Sequence, residues 1–188
     1  MKLYTLNGYL PDTIYNFNFD YECGATKCCI FKNNYVYKIP LDGIIEKIGD
    51  GYSLQHYEDD YCELEWNNYS YAKKAGVNQF FAKIERIGKN LYKQELLKPY
   101  HRKQSYSGDG YVIEKPEMDA LRKCYSESEI ESLLKFIKDE GINDLFAQNF
   151  GYDKQGKLKI FDYSGYYGYF DWSEHYDSLE EVKDRCRM

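Results

Sequence analysis

No stretch of this 188-residue chain approaches the roughly 20 consecutive apolar residues that a membrane-crossing helix needs. The opening segment MKLYTLNGYLPD also lacks the apolar block of a secretory signal. Together these absences point to a cytoplasmic protein without a membrane partner. Zinc-finger chemistry is missing too. Six cysteines occur (Cys23, Cys28, Cys29, Cys62, Cys124 and Cys186), yet none forms a C-x-x-C pair and no Cys/His group has zinc-site spacing. Reduced thiols packed as small apolar side chains are the plain reading, with a Cys23–Cys28 bridge as the alternative. Positive charge is not in excess: the formal net charge is −6, which argues against a nucleic-acid partner. The one basic run, Lys98 to Lys103, reads as a solvated loop. Neither an internal repeat nor a long linker is present.

Aromatic content fills the gap. The chain is 43% hydrophobic and contains 22 tyrosines, so many rings must be half buried with their hydroxyls at the surface or hydrogen-bonded. That is enough apolar material for one domain, or for two small lobes sharing a cleft.

Strand signals dominate residues 13–39, where short Tyr/Phe/Ile/Val runs are broken at Gly24-Ala25-Thr26 and at Lys32-Asn33-Asn34. Three antiparallel strands are expected, the last ending at Val36-Tyr37-Lys38-Ile39 before Pro40. Residues 41–58 carry Gly43, Gly49 and Gly51 and read as a loop or insertion. The period then changes. Cys62, Glu65, Tyr69, Ala72 and Gly76 recur every three or four residues, which marks one face of a helix starting near Asp59-Asp60. Two more strands are expected near Phe80–Arg86 and Leu91–Leu97, joined by Gly88-Lys89-Asn90. Residues 101–125 look polar and irregular. Ser126-Glu-Ser-Glu129 reads as a capping box opening a helix that Gly141 stops. A loop, a short strand, a turn at Asp153–Gly156 and the strand Leu158–Phe161 follow, then a Tyr-rich tail and a charged helix near Ser178–Cys186.

The chemistry concentrates in Asp144-Leu145-x-x-x-Asn149, a hairpin, and Asp162-Tyr163-Ser164-Gly165. Phosphoryl transfer from ATP needs a carboxylate beside the acceptor hydroxyl and oxygen ligands that hold Mg²⁺ against the phosphates. A hairpin between Asn149 and Asp162 returns the chain beside the loop, so three oxygen-bearing side chains converge. Taken singly, each residue has an ordinary reading. Asp144 can cap a turn, Lys38 can be a solvated edge lysine, Glu65 a surface carboxylate, and Gly24 only a hairpin turn. Their order along one chain is what sets them apart.

In these residues the chain resembles the protein-kinase-like superfamily. DLFAQN followed by FDYSG is similar to the catalytic loop D-L-x-x-x-N and the metal-binding D-F-G after a β-hairpin. Ile142-Asn143 stands where His-Arg would be, and Tyr163-Ser164 where Phe-Gly would be. The Asn143-Asp144-Leu145 start and the Asn149-Phe-Gly-Tyr-Asp153 continuation look more like the small-molecule-kinase, atypical, bacterial or phage kinase-like branches than like eukaryotic regulatory kinases. Val36-Tyr37-Lys38 resembles the V-A-I-K strand. The resemblance implies an α+β bilobal fold, with a five-stranded antiparallel N-lobe sheet plus one helix over 1–98 and a reduced, mainly helical C-lobe over 99–188.

It also implies roles. Lys38 would grip the phosphates, oriented by Glu65 or Glu63, with Glu65 preferred because it shares the face of Cys62, Tyr69 and Ala72. Gly24 would mark the phosphate-covering turn, and Leu97 the hinge that reads adenine. Asn149 and Asp162 would hold Mg²⁺, and Asp144 would serve the acceptor. The implied activity is ATP- and Mg²⁺-dependent transfer of the γ-phosphate to a hydroxyl of a protein or small molecule. The alternatives are a catalytically silent nucleotide-binding module and an AMP transferase on the same fold. Only 26 residues follow Asp162 and no A-P-E occurs, so no phosphorylation-gated activation segment is expected. Such a stripped-down chain would suit a phage, a mobile element or a delivered bacterial effector.

Overall fold

Turn chemistry sets the strand layout. The computed structural model describes residues 2–4, 20–100, 110–165 and 172–186, and over these the chain is an α+β protein. A short strand β1 (Lys2–Tyr4) is followed by β2 (Tyr21–Cys23), β3 (Lys27–Lys32) and β4 (Tyr35–Pro40). The expected strand residues 13–19 lie outside the described residues. Between β3 and β4, Asn33 and Asn34 both take positive φ, 52° and 63°. Asparagine tolerates this region, and a two-residue turn of that hand matches the natural twist of the strands it joins. Lys32 therefore pairs with Tyr35, and the register runs back to Lys27 opposite Pro40.

Residues 41–58 are not a loop. They form β5 (Gly43–Ile48) and β6 (Gly51–His56), a hairpin closed by Ile48 opposite Gly51 with Gly49 at φ +59°. The glycines that suggested a loop are there for other reasons. A Cβ on Gly51 would lie 2.8 Å from the Tyr176 carbonyl oxygen, so the close approach of a neighbouring strand needs the missing side chain.

After β6 comes α1 (Tyr61–Ala75). Its first turn is capped by the Asp60 carboxylate, which accepts from the Cys62 and Glu63 amides at 2.9 and 2.8 Å. Cys62, Glu65, Tyr69 and Ala72 are all buried, which is the face the sequence period marks, and Gly76 ends the helix at φ +74°. A 3₁₀ turn at Asn78–Phe80 leads to β7 (Ile84–Gly88) and β8 (Leu91–Glu95). The strand near residue 80 thus starts later than its apolar run suggests. Phe81 instead makes an isolated parallel bridge to Ile160. Strands β2, β3, β4, β8 and β7, in that order, make the five-stranded antiparallel sheet.

The tail of the sheet region is β9 (Lys98–Pro99). Within the stretch that looked irregular lies α2 (Lys115–Leu121), with Pro116 in its first turn, where the absent N–H is harmless. The capping box is present: in α3 (Glu127–Asp139) the Glu129 amide donates to Ser126 Oγ, and the Ser126 amide donates to the Glu129 carboxylate. Ile130, Leu133, Phe136 and Ile137 bury its apolar face. Strands β10 (Phe150–Tyr152) and β11 (Leu158–Ile160) form the expected hairpin, and β9 adds to β10 to give a three-stranded sheet. Of the Tyr-rich tail, residues 166–171 lie outside the described residues. Trp172–Tyr176 is β12, which pairs with β6. It completes a second sheet in the order β1-β5-β6-β12, and α4 (Leu179–Cys186) closes the chain. Ile45, Leu54 and Val182 form the small core of that sheet.

The chain divides into two compact units. One comprises Met1–Glu63, Arg86–Lys93 and Tyr167–Met188; the other comprises Leu64–Glu85 and Gln94–Tyr166. Among the described residues, no helix is long and apolar enough to cross a membrane.

Candidate functional site

Hairpin register brings the key residues of the second unit together. Phe150 pairs with Ile160, and the Phe161 amide donates to the Asn149 carbonyl at 2.9 Å. Asn149 therefore enters the hairpin at the end where Asp162 leaves it. Asp144 joins them through Asn149, whose Nδ2 donates to the Asp144 backbone oxygen at 2.7 Å and to its Oδ2 at 3.0 Å. The loop itself is unusual, because Asp144 takes φ +64°, a left-handed conformation that few residues other than Gly adopt. Next to it, the Leu145 amide donates to the Gly110 carbonyl at 2.9 Å. Gly110, at φ +75°, disfavours a side chain, and a Cβ there would crowd the Phe146 ring at 3.0 Å. The Asp144–Asn149 clamp thus holds a strained loop in one shape.

Asp162 is fixed from its other side by Tyr163. This ring is fully buried, packs edge-on to Phe81 with centroids 4.9 Å apart, and donates its hydroxyl to the Ala82 carbonyl at 2.6 Å. The Tyr163 carbonyl accepts from Asn68 Nδ2 of α1 at 2.8 Å. Burial, helped by the nearby Glu65 carboxylate, pushes the Tyr163 phenol well above its ordinary pKa, so it stays a neutral donor. Glu65 is itself fully buried and accepts from Gln94 Nε2 at 2.7 Å. Glu63, the other candidate, is half-buried on the opposite side of the helix and pairs with Arg86 at 3.1 Å. The two carboxylates therefore have different environments, and only Glu65 is desolvated.

Lys38 belongs to the first unit. It lies in β4 opposite Cys29 and is 3% exposed, an uncommon placement for a lysine. Gly24 occupies the turn between β2 and β3. Its amide donates to the Lys27 carbonyl at 2.9 Å, and a Cβ there would make only ordinary contact at 3.8 Å. This turn does not require glycine. It is anchored by Tyr57, whose hydroxyl donates to the Ala25 carbonyl at 2.7 Å. Leu97 belongs to the second unit and is buried between β8 and β9, where Gly151 lets β9 approach: a Cβ on Gly151 would be 2.8 Å from Leu97 Cβ.

Three residues of this second-unit site escaped the sequence reading. Gln94 shares the alternation of Tyr92 on β8, both buried, and that period would have flagged it. Asn68 stands three positions after Glu65 on one helix, so the two share a face. Gly151 carries no local sign of its role, because the strand it accommodates is distant in sequence.

The donor set suits a hard cation. Asn149 offers its amide oxygen on the side away from the nitrogen that Asp144 engages, and Asp162 offers a carboxylate. Magnesium takes one or two such protein oxygens and completes its shell with phosphate and water. No cluster of three or more His, Cys, Asp or Glu among the described residues is arranged to hold a metal by itself. No protein-family model matches the chain, and no curated protein matches it in sequence.

Proposed function

We propose that the chain is a minimal protein-kinase-like phosphotransferase. The observation that supports this reading is the Asp144–Asn149 clamp at the open end of the β10–β11 hairpin, from which the chain leaves at Asp162. Two further placements support it: a buried lysine on β4 and a buried carboxylate on α1. Each needs an opposite charge or strong hydrogen bonds to be tolerated.

In this reading Lys38, oriented by Glu65, holds the ATP phosphates. The Gly24 turn covers them, and backbone groups near Leu97 read the adenine. Asn149 and Asp162 would hold Mg²⁺, which neutralises phosphate charge when bound. Asp144 orients the acceptor hydroxyl and receives its proton as the oxygen attacks the γ-phosphorus, and ADP departs. Positioning does most of the work, so the clamp on Asp144 and the buried anchor at Tyr163 matter as much as the reacting groups. The acceptor is a hydroxyl of a protein or a small molecule. The five described cysteines are free, which suits a reducing compartment such as the cytoplasm.

Incubation with Mg²⁺ and ATP labelled at either the α- or the γ-phosphate tests this directly. Label from the γ position should be transferred or released, and Asp162→Ala should abolish it. Replacing Asp144 by Asn should slow turnover by about 10²–10⁴-fold, the range for loss of a positioned general base. Tight ATP binding without turnover on any acceptor would make the chain a silent nucleotide-binding module, and α-label in the product would make it an AMP transferase.

A further inference from the structure

Cys23 and Cys28 face each other directly across β2 and β3. The hydrogen-bond pattern fixes what kind of pair they form. The Gly24 amide bonds the Lys27 carbonyl, and the Phe31 amide bonds the Asp20 carbonyl. Residues 24/27 and 20/31 are therefore hydrogen-bonded pairs, and by alternation 23/28 is a non-hydrogen-bonded one, the kind with the closest side chains. Such pairs bring Cα atoms to about 4.5 Å, inside the range of about 4.4–6.8 Å that a disulfide spans. Both sulfurs are free thiols and lie on the same face of the sheet. Cys23 is partly exposed, whereas Cys28 is fully buried.

We infer that Cys23 and Cys28 form a reversible thiol–disulfide site, oxidised by a small disulfide of the glutathione class, with Cys23 attacking and Cys28 resolving. The Cys28 S–H donates to the Cys23 sulfur, which holds the Cys23 thiol below its ordinary pKa; the same bond and burial hold Cys28 above its own. The exposed partner is thus the better thiolate.

In the first step the Cys23 thiolate attacks one sulfur of glutathione disulfide and expels a glutathione thiolate. In the second, Cys28 gives up its proton and attacks the Cys23 sulfur, expelling the other glutathione. Two protein thiols and one glutathione disulfide become one protein disulfide and two glutathiones. The other nearby cysteines are placed differently. Cys29 points to the opposite face of β3, between Glu22 and Lys38, and Cys62 is fully buried in the first turn of α1. The bridge would close across the turn that holds Gly24, and it stands whether or not that turn covers a phosphate.

The test is a mass map of the full-length protein equilibrated in glutathione buffers of rising disulfide content. Lys27 separates the two cysteines, so trypsin under non-reducing conditions should yield residues 3–27 joined to residues 28–32. The intact protein should lose two hydrogen masses and regain them with dithiothreitol. In Cys29→Ser the bridge should persist. In Cys28→Ala the reaction should stop at a stable glutathione adduct on Cys23. A wild-type protein that keeps glutathione on Cys23 without bridging, or that links either cysteine to Cys29 or Cys62, would overturn the proposal. Cys28 and Cys29 share the 28–32 peptide, so fragment-ion sequencing of the linked wild-type pair assigns the bonded cysteine, and that assignment decides the proposal however well the variants fold.

Discussion

Replacing Asn149 by alanine probes the clamp that shapes the Asp144 loop. The substitution removes two hydrogen bonds, one to a backbone carbonyl at 2.7 Å and one to a carboxylate oxygen at 3.0 Å. A neutral bond contributes about 1 kcal/mol and one to a charged group about 1.5–3 kcal/mol. Asn149 is 8% exposed, but Asp144 is only half buried, so water can replace part of what its carboxylate loses. The net expectation is a loss of about 2 kcal/mol in unfolding free energy, read from urea titrations. A double-mutant cycle with Asp144→Ala should return a coupling of about 1 kcal/mol or more, because the two residues act through each other. Asn149→Asp sharpens the argument: it keeps an oxygen for a metal yet replaces the donor with a second carboxylate facing Asp144. It should be destabilised at neutral pH at least as much as the alanine variant. A change below about 0.5 kcal/mol for Asn149→Ala, the scale of an ordinary surface substitution, would refute the clamp.

Other parts of the fold make separate predictions. Gly151→Ala should cost about 1–3 kcal/mol, seen as a lower melting temperature, because its Cβ would meet Leu97 and the Lys98 carbonyl at 2.8 and 3.0 Å; an unchanged melt would contradict that close approach. Ser126→Ala should lose about 1 kcal/mol through the broken capping box of α3, measurable by thermal unfolding. The Tyr92, Tyr125 and Tyr163 phenols are all raised by burial, and Tyr176 is pushed up to about 12, again chiefly by burial. Their ordinary value is near 10, so above about pH 10 the unfolded chain releases protons that the folded chain keeps. Stability should therefore be flat with respect to these groups below about pH 10 and fall as the pH rises beyond it. Tyrosinate absorbance should show Tyr92, Tyr125 and Tyr163 ionising only with unfolding and Tyr176 only toward about pH 12; titration of these rings in the folded state near pH 10 would contradict their raised values.

Much of this was legible because the responsible signals are local. Asn33-Asn34, the Asp60 cap, the Ser126/Glu129 box and the Asp153–Gly156 turn each act within a few residues, and the strands and helices they bound follow from the period of the apolar residues. The β5–β6 hairpin is hidden in the sequence because its glycines have the signature of chain breakers. Gly49 is indeed a turn, but Gly51 serves a contact with Tyr176, 125 positions later, and no window of sequence contains both. The same holds for β9, whose pairing with Gly151 depends on a distant strand. Of the site, Asp144, Asn149 and Asp162 could be placed because a hairpin lies between the last two. The anchors around them could not. Tyr163 reaching Ala82, Asn68 reaching the Tyr163 carbonyl and Gln94 reaching Glu65 are long-range bonds between polar residues of ordinary spacing.

A crystal structure of the full chain with Mg²⁺ and a non-hydrolysable ATP analogue tests the central claim most directly. It should show the metal bound by Asn149 and Asp162, Lys38 on the phosphates, and the γ-phosphate facing Asp144. A nucleotide bound elsewhere, or one that leaves Lys38 and Asp162 on separate surfaces, would contradict it.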